Sequence, residues 1–310
     1  PTPATVLFRA SATGRSRWQA AATMDAELTA RKSGRAVVAA AGNEGNRGHH
    51  FYGTVPSETG YMDVELRVGP GETGFQVNLW GNAPGLFVTE VIAPSGERIS
   101  RITPQVLSRE RYDFVFENTM LDVQYELSEV ISGDERILLA FQNPTAGIWT
   151  IRIYSVGNLE KGFHMWLPVT GFISSETYFI QSDPDTTVTE PANAEGVLTF
   201  ARGCEERRTG NCAGSVMNKG YTRTGKVVPD VAAPAVEVCT IDMRGRNSTL
   251  TGTSAAAALG AGACALLLEW GIVQQNAPAM DSVTIQRYLI RGASRSENYT
   301  YPNKTWGYGL

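Results

Sequence analysis

The 310-residue sequence predicts an α/β fold: a partial parallel sheet with flanking helices, plus an inserted all-β sandwich of jelly-roll type. Three observations predict it. The apolar run Ala36–Ala41 follows a helical segment and ends in a glycine turn, and the next run of that kind waits until Gly196-Val197-Leu198-Thr199-Phe200. The segment between them, about Val55 to Phe179, alternates apolar and polar residues in short stretches. A long alanine- and leucine-rich helix opens after Thr251-Gly252-Thr253-Ser254.

Each element has its own justification, in chain order. A first strand is expected at Ala4-Thr5-Val6-Leu7-Phe8. Met24 to Arg35 reads as a helix, with Met24, Ala26, Leu28 and Ala30 among charges and Gly34 as the stop. It feeds the strand Ala36–Ala41, and strand, helix, strand at this spacing indicates parallel pairing. The middle segment carries strands at Tyr61–Val68, Gly74–Trp80, Leu86–Ala93, Asp113–Glu117, Leu121–Leu127, Arg136–Phe141 and Trp149–Tyr154. Gly69-Pro70-Gly71-Glu72, Pro94-Ser95-Gly96-Glu97, Ser132-Gly133-Asp134-Glu135 and Asn143-Pro144 separate them, which is the punctuation of a β-sandwich. The expected organisation is therefore 1–54, an insertion at 55–179, and 180–310. The run Ala255 to Glu269 has no proline and only Gly260 and Gly262 as weak helix formers, so it reads as a buried core helix.

Composition narrows the function classes. Apolar content of 42% and charged content of 19% fit a folded globular chain. A net charge of −4 and no basic run give no reason to expect nucleic-acid binding. No stretch approaches about 20 consecutive apolar residues, so no membrane span is expected. Cys204 and Cys212 bracket a polar turn; a hairpin disulfide and a zinc pair are both conceivable there, and two free thiols fit the sparse spacing better. Cys239 and Cys264 lie in apolar stretches and read as buried small residues.

The chemistry sits in three blocks. Ser254 is placed at the helix N-terminus, where unpaired N–H groups and the positive dipole end favour a developing negative charge. A hydroxyl there can act as an acyl-transfer nucleophile when a base is supplied. The plainer reading of Ser254 is an N-cap. Val37-Val38-Ala39-Ala40-Ala41-Gly42-Asn43-Glu44 ends a strand in a turn that presents Asn43, whose plainer reading is a turn residue tolerant of positive φ. The third block is Lys226-Val227-Val228-Pro229-Asp230-Val231-Ala232-Ala233-Pro234-Ala235.

Taken in chain order, the Asn43 block, the Pro-Asp-Val-Ala-Ala-Pro block and then the Gly-Thr-Ser block resemble the subtilisin-like serine peptidases. The resemblance implies Ser254 as nucleophile and the Asn43 side-chain amide as oxyanion donor, together with the Ser254 N–H. The loss of one such donor costs roughly 3 kcal/mol, a figure that comes from subtilisin itself. The inserted sandwich, the Gly-Thr-Ser-Ala-Ala-Ala-Ala helix and Tyr288-Leu289-Ile290-Arg291-Gly292-Ala293 resemble in particular the Csp-type germination proteases of spore-forming clostridia. That branch points to a secreted, cell-envelope or spore protein, and the sequence leaves the compartment open. The first strand resembles the strand that lines the substrate cleft, although Phe8-Arg9-Ala10-Ser11 departs from the usual cleft pattern. Ala258 stands where many relatives have proline. Ala235 stands where they have glycine, and strain is expected there if that glycine uses positive φ.

The family triad runs Asp, His, Ser, and this chain has no Asp-Thr-Gly or His-Gly-Thr block. His49 and His50 follow the asparagine turn and read as loop residues or cleft neighbours. His164 lies in Gly162–Pro168, a strand, and reads as structural. The expectation is a C-terminal fragment whose missing N-terminal part carries Asp and His, nearly inactive by itself, since a serine without its base keeps only residual catalysis. The expected partner is a protein or peptide substrate. No cofactor is expected; calcium is common in the family, but no ligand loop can be named. Two other readings compete: a pseudoprotease serving as a signalling or scaffold subunit, and a sandwich whose own binding function dominates. Trp80, Trp149 and Trp166 could stack on sugar in the latter, but strand tryptophans are more often core.

Overall fold

The computed structural model describes residues 17–102, 109–129, 132–158, 161–203 and 218–310. The expected strand Ala4–Phe8, the segment Phe8–Ser11 and the Cys204 and Cys212 thiols lie outside these residues. The described chain forms two compact units, 17–46 with 185–310, and 47–184.

The first unit opens with helix α1 (Arg17–Ala30) and strand β1 (Val38–Ala40). The helix ends at Ala30, short of the expected Arg35. Lys32 N–H closes a turn on the Thr29 carbonyl, and Gly34 sits at φ 74° as the chain reverses.

The second unit contains eleven strands: β2 (His50–Thr54), β3 (Tyr61–Val68), β4 (Gly74–Gly81), β5 (Phe87–Ile92), β6 (Arg98–Ile102), β7 (Arg109–Phe114), β8 (Thr119–Glu126), β9 (Glu135–Gln142), β10 (Gly147–Ser155), β11 (Gly162–Trp166) and β12 (Tyr178–Phe179). They form two antiparallel sheets, β12-β3-β10-β5-β6 and β2-β11-β4-β9-β8-β7. β2 pairs with β11, β3 with β10 and β4 with β9, so early strands lie beside late ones as in a hairpin wound around itself. That pairing is the jelly roll. Alternate residues such as Val64, Leu66 and Val68, or Ile137, Leu139 and Phe141, point into one core with Trp149. Trp149 is part of that core, while Trp80 and Trp166 are buried outside it, Trp80 beneath Arg136 and Trp166 stacked on His164, so none offers an open ring face to a sugar.

This unit begins earlier and ends later than the expected 55–179, for a backbone reason. β2 is an outer strand of the sandwich, and the Asp183 N–H donates to the His50 carbonyl while the Ile180 N–H donates to that of Glu65. Two further expectations change. The stretch Asp113–Glu117 is half turn: Val115 to Asn118 reverse the chain, with Asn118 at φ 50°. β6 was not expected, because Arg98-Ile99-Ser100-Arg101-Ile102 is a largely exposed edge strand and its charges hide the alternation.

The first unit resumes with β13 (Leu198–Gly203) and β14 (Val231–Pro234), then the hairpin β15 (Val238–Ile241) and β16 (Asn247–Leu250), helix α2 (Thr253–Leu268), a π-helical turn at Glu269–Val273 and helix α3 (Ser282–Gly292). The order β1-β13-β14 is parallel throughout, with Val38 opposite Leu198 and Phe200 opposite Val231. Val38, Leu198 and Phe200 face the alanines of α2. Val37, Ala39 and Val197 face the other way, toward Ala26 and Ala30 of α1. A two-residue period thus puts helices on both faces of a thin sheet. Gly260 has a packing reason: a Cβ there would lie 2.4 Å from the Phe200 ring, so only glycine lets α2 approach β13 this closely.

Candidate active site

The start of α2 is built differently from an ordinary capped helix. Its N-cap is Gly252, at φ 140°, which has no side chain to offer the first turn. Ser254 is therefore not the cap but the second helical residue, and it is exposed. A remote residue satisfies the turn instead. The Asn43 Oδ1 accepts from the Thr253 N–H at 3.2 Å and from the Thr253 hydroxyl at 3.4 Å. The Thr253 oxygen in turn accepts from the Gly42 N–H at 3.1 Å. Since the first N–H groups of a helix lack internal partners, Asn43 caps α2 from a different segment of chain.

That contact fixes the asparagine. With Oδ1 bound to Thr253, the Nδ2 group has no hydrogen-bond acceptor among the described residues. It lies beside the glycine that opens the helix, 3.5 Å from where a Cβ on Gly252 would stand. A solvent-facing hydroxyl, an amide donor and the positive end of a 16-residue helix thus occupy one place. Donors of this kind, preset before charge develops, stabilise a tetrahedral oxyanion.

The turn carrying Asn43 is itself clamped. The Ala41 carbonyl accepts from Asn218 Nδ2 at 2.7 Å and from the Thr189 N–H at 3.0 Å, while Asn218 Oδ1 accepts from the Glu44 N–H. Gly42 sits at φ 106°, and a Cβ there would fall 2.1 Å from Asn218 Nδ2. Thr253, Thr189 and Asn218 were not legible as site residues. Thr253 stood next to the serine, but nothing local marked Asn218.

Asp230, from the Pro-Asp-Val-Ala-Ala-Pro block, is structural. One oxygen accepts from the Thr199 N–H at 2.7 Å, the other from Gln286 Nε2 at 2.5 Å, and its carbonyl accepts from the Tyr308 N–H. It ties β13, α3 and the chain end together. Burial pushes its carboxyl up to about 6, against the opposing pull of those donors. Ala235 does not adopt positive φ, so the expected strain is absent; the left-handed residue of that turn is Glu237, at φ 50°.

The histidines are engaged elsewhere. All three belong to the sandwich unit. His50 is not a loop residue: it opens β2, is buried, and meets His164 Nδ1 through Nε2 at 2.9 Å. His164 lies in β11 and stacks on Trp166. His49 is buried beside them, its carbonyl accepting from the Leu167 N–H. Cys264 is buried in α2, and its thiol is pushed up to about 12 by that burial. Cys239 is exposed on β15, contrary to the expected burial, because that hairpin presents both faces to water. Among the described residues no cluster of three or more His, Cys, Asp or Glu could hold a metal ion.

The family model described as the subtilase family matches residues 130–309. The structure of the Clostridium perfringens CspB protease superposes with a TM-score of 0.84 at 27% identity, covering 98% of this chain and 63% of that one. This chain therefore spans less than two thirds of that relative's length. The prenylagaramide maturation protease PagA aligns over 40% of this chain and 42% of its own, at 20% identity and a TM-score of 0.32, too low to carry an argument. No curated protein matches significantly. A parallel sheet, the clasp at the serine helix and the family match over more than half its length together place this chain in the subtilase family of serine peptidases.

Proposed function

We propose that this chain supplies the nucleophile and the oxyanion hole of a subtilisin-type serine endopeptidase acting on a protein or peptide. Ser254 Oγ attacks the scissile carbonyl to form an acyl-enzyme. Asn43 Nδ2 and the Ser254 N–H receive the oxyanion. The observation that carries this reading is the bond from the Thr253 N–H to Asn43 Oδ1, which orients the amide at the mouth of the serine helix. The base that takes the Ser254 proton and the carboxylate that orients it are assigned to sequence beyond these 310 residues. In support, the three histidines here are buried in strands or beside them, and the CspB protease has over a third of its length without a counterpart in this chain. No cofactor has a part in the chemistry.

The test is hydrolysis of a generic peptide ester by the isolated chain and by the complete gene product. The isolated chain is expected to be nearly inactive. The complete product is expected to turn over and to lose that activity on Ser254→Ala. Robust turnover by the isolated chain, abolished by the same substitution, would overturn the assignment of the base. A complete product without Ser254-dependent turnover would make it a pseudoprotease.

A further inference from the structure

Asn218 lies far in sequence from both proposed catalytic residues, yet it is 1% exposed and spends both ends of its amide on one turn. In an ordinary β-turn the carbonyl of the first residue accepts from the N–H of the fourth. Here those two groups are the Ala41 carbonyl and the Glu44 N–H, and they do not bond to each other. Asn218 stands between them: its Nδ2 donates to Ala41 and its Oδ1 accepts from Glu44. One side-chain amide thus replaces the direct bond and holds the turn open by its own width. The two residues inside the widened turn are Gly42 and Asn43. Gly42 takes φ 106°, where only glycine escapes both strain and collision with the Asn218 amide. Asn43 then reaches the N-terminus of α2 with its carbonyl oxygen on Thr253.

We propose that Asn218 is a positioning residue for the oxyanion donor, setting the width of the Ala41–Glu44 turn and through it the aim of the Asn43 amide. The proposal rests on the reading of Asn43 as that donor. A bare β-turn would draw Asn43 back toward its own strand and lengthen its approach to Thr253. Alignment of an oxyanion donor matters in the transition state more than in substrate binding, so the loss falls on kcat and not on KM.

The experiment is a double-mutant cycle in the complete gene product, with kcat and KM for one peptide ester and thermal unfolding of each variant. Asn218→Ala is expected to lower kcat about tenfold or more with KM within about twofold, and to lower it less than twofold further when Asn43 is already alanine. Asn218→Asp, which keeps the acceptor for Glu44 and loses the donor for Ala41, is expected to behave in the same direction. If Asn43→Ala lowers kcat but Asn218→Ala leaves it unchanged, or if the two losses multiply in full, Asn218 does not act through Asn43 and the proposal is overturned. If Asn43→Ala itself leaves kcat unchanged, the oxyanion reading fails first. Should the alanine variant not fold, Asn218→Ser, whose hydroxyl can hold only one of the two groups, is read in the same cycle.

Discussion

The sandwich unit and the serine-bearing unit solve the burial problem differently. In the sandwich, two antiparallel sheets face each other, and Trp149, Phe87, Phe114, Phe141 and Phe163 are fully buried between them. Every large apolar side chain of that core has a partner supplied by the unit itself. The serine unit has, among the described residues, a parallel sheet of three strands with an alanine-rich helix against it. Along α2, Ala255, Ala256 and Cys264 are buried, while among the described residues Leu259, Leu266 and, in the turn beyond it, Trp270 and Val273 are exposed. The difference teaches where each unit keeps its stability. A jelly roll closes on itself and draws on large side chains; a parallel sheet built with alanines draws on close backbone approach, and the same closeness sets Asn43 against Thr253.

Four outcomes would sharpen or break that contrast. The largest is Trp149→Ala, expected to cost about 3–5 kcal/mol. Urea unfolding followed by hydrogen-exchange labelling over residues 47–184 would read it; a cost under 1 kcal/mol would mean the sandwich core is not the reservoir described here.

The second concerns pH. In each unit a buried carboxyl is raised by burial: Asp230, to about 6, and Glu135, to about 7. Glu135 uses one oxygen to accept from the Phe87 N–H at 2.6 Å, and its other oxygen has no hydrogen-bond partner among the described residues. A raised carboxyl favours the fold in its protonated form. Its contribution is full below the unfolded value near 4 and is lost as pH rises through the folded one, a swing on the order of 3 kcal/mol for each group. The serine unit should weaken between about pH 4 and 6, and the sandwich between about pH 4 and 7. Glu135→Gln keeps the acceptor for Phe87 and should flatten the second slope while leaving the first. An unchanged slope in that variant would refute the assignment.

The third is Thr253→Val, which keeps the shape and removes the oxygen that receives the Gly42 N–H. It is expected to cost about 1–3 kcal/mol in the serine unit and nothing in the sandwich. Equal exchange rates at Gly42 in variant and parent would break the clasp described here. The smallest is Leu266→Ser. At 68% exposure it should shift stability of this chain by no more than about 0.5 kcal/mol. A loss above 2 kcal/mol, read by thermal unfolding, would show that the outer side of α2 is covered in solution.

Much of the sandwich was legible because its strands alternate and its turns carry Gly71, Gly96 and Gly133 at positive φ. Tyr61–Val68 runs the full length of β3 as expected. β6 was hidden because an exposed edge strand has no buried face to mark. In the serine unit, Ser254 and Asn43 were legible through neighbouring glycines and through motif order. Asn218 and Thr189 were not, since one amide and one threonine in loops carry no periodicity and their side chains bond to Ala41, far away in the sequence.

Most of the elements were written in the sequence: which runs alternate, which helix is rich in alanine, and which serine stands at its start. Only the tertiary structure decided that Ser254 is not the cap of its own helix, that Asn43 caps it from elsewhere, and that Asn218 holds the Asn43 turn open. The physical reason is range. Helical and strand periodicity and turn chemistry act between residues a few positions apart and are written in the order of the chain. A hydrogen bond between Asn43 and Thr253, or between Asn218 and Ala41, exists only once the sheet and helix have brought distant segments together.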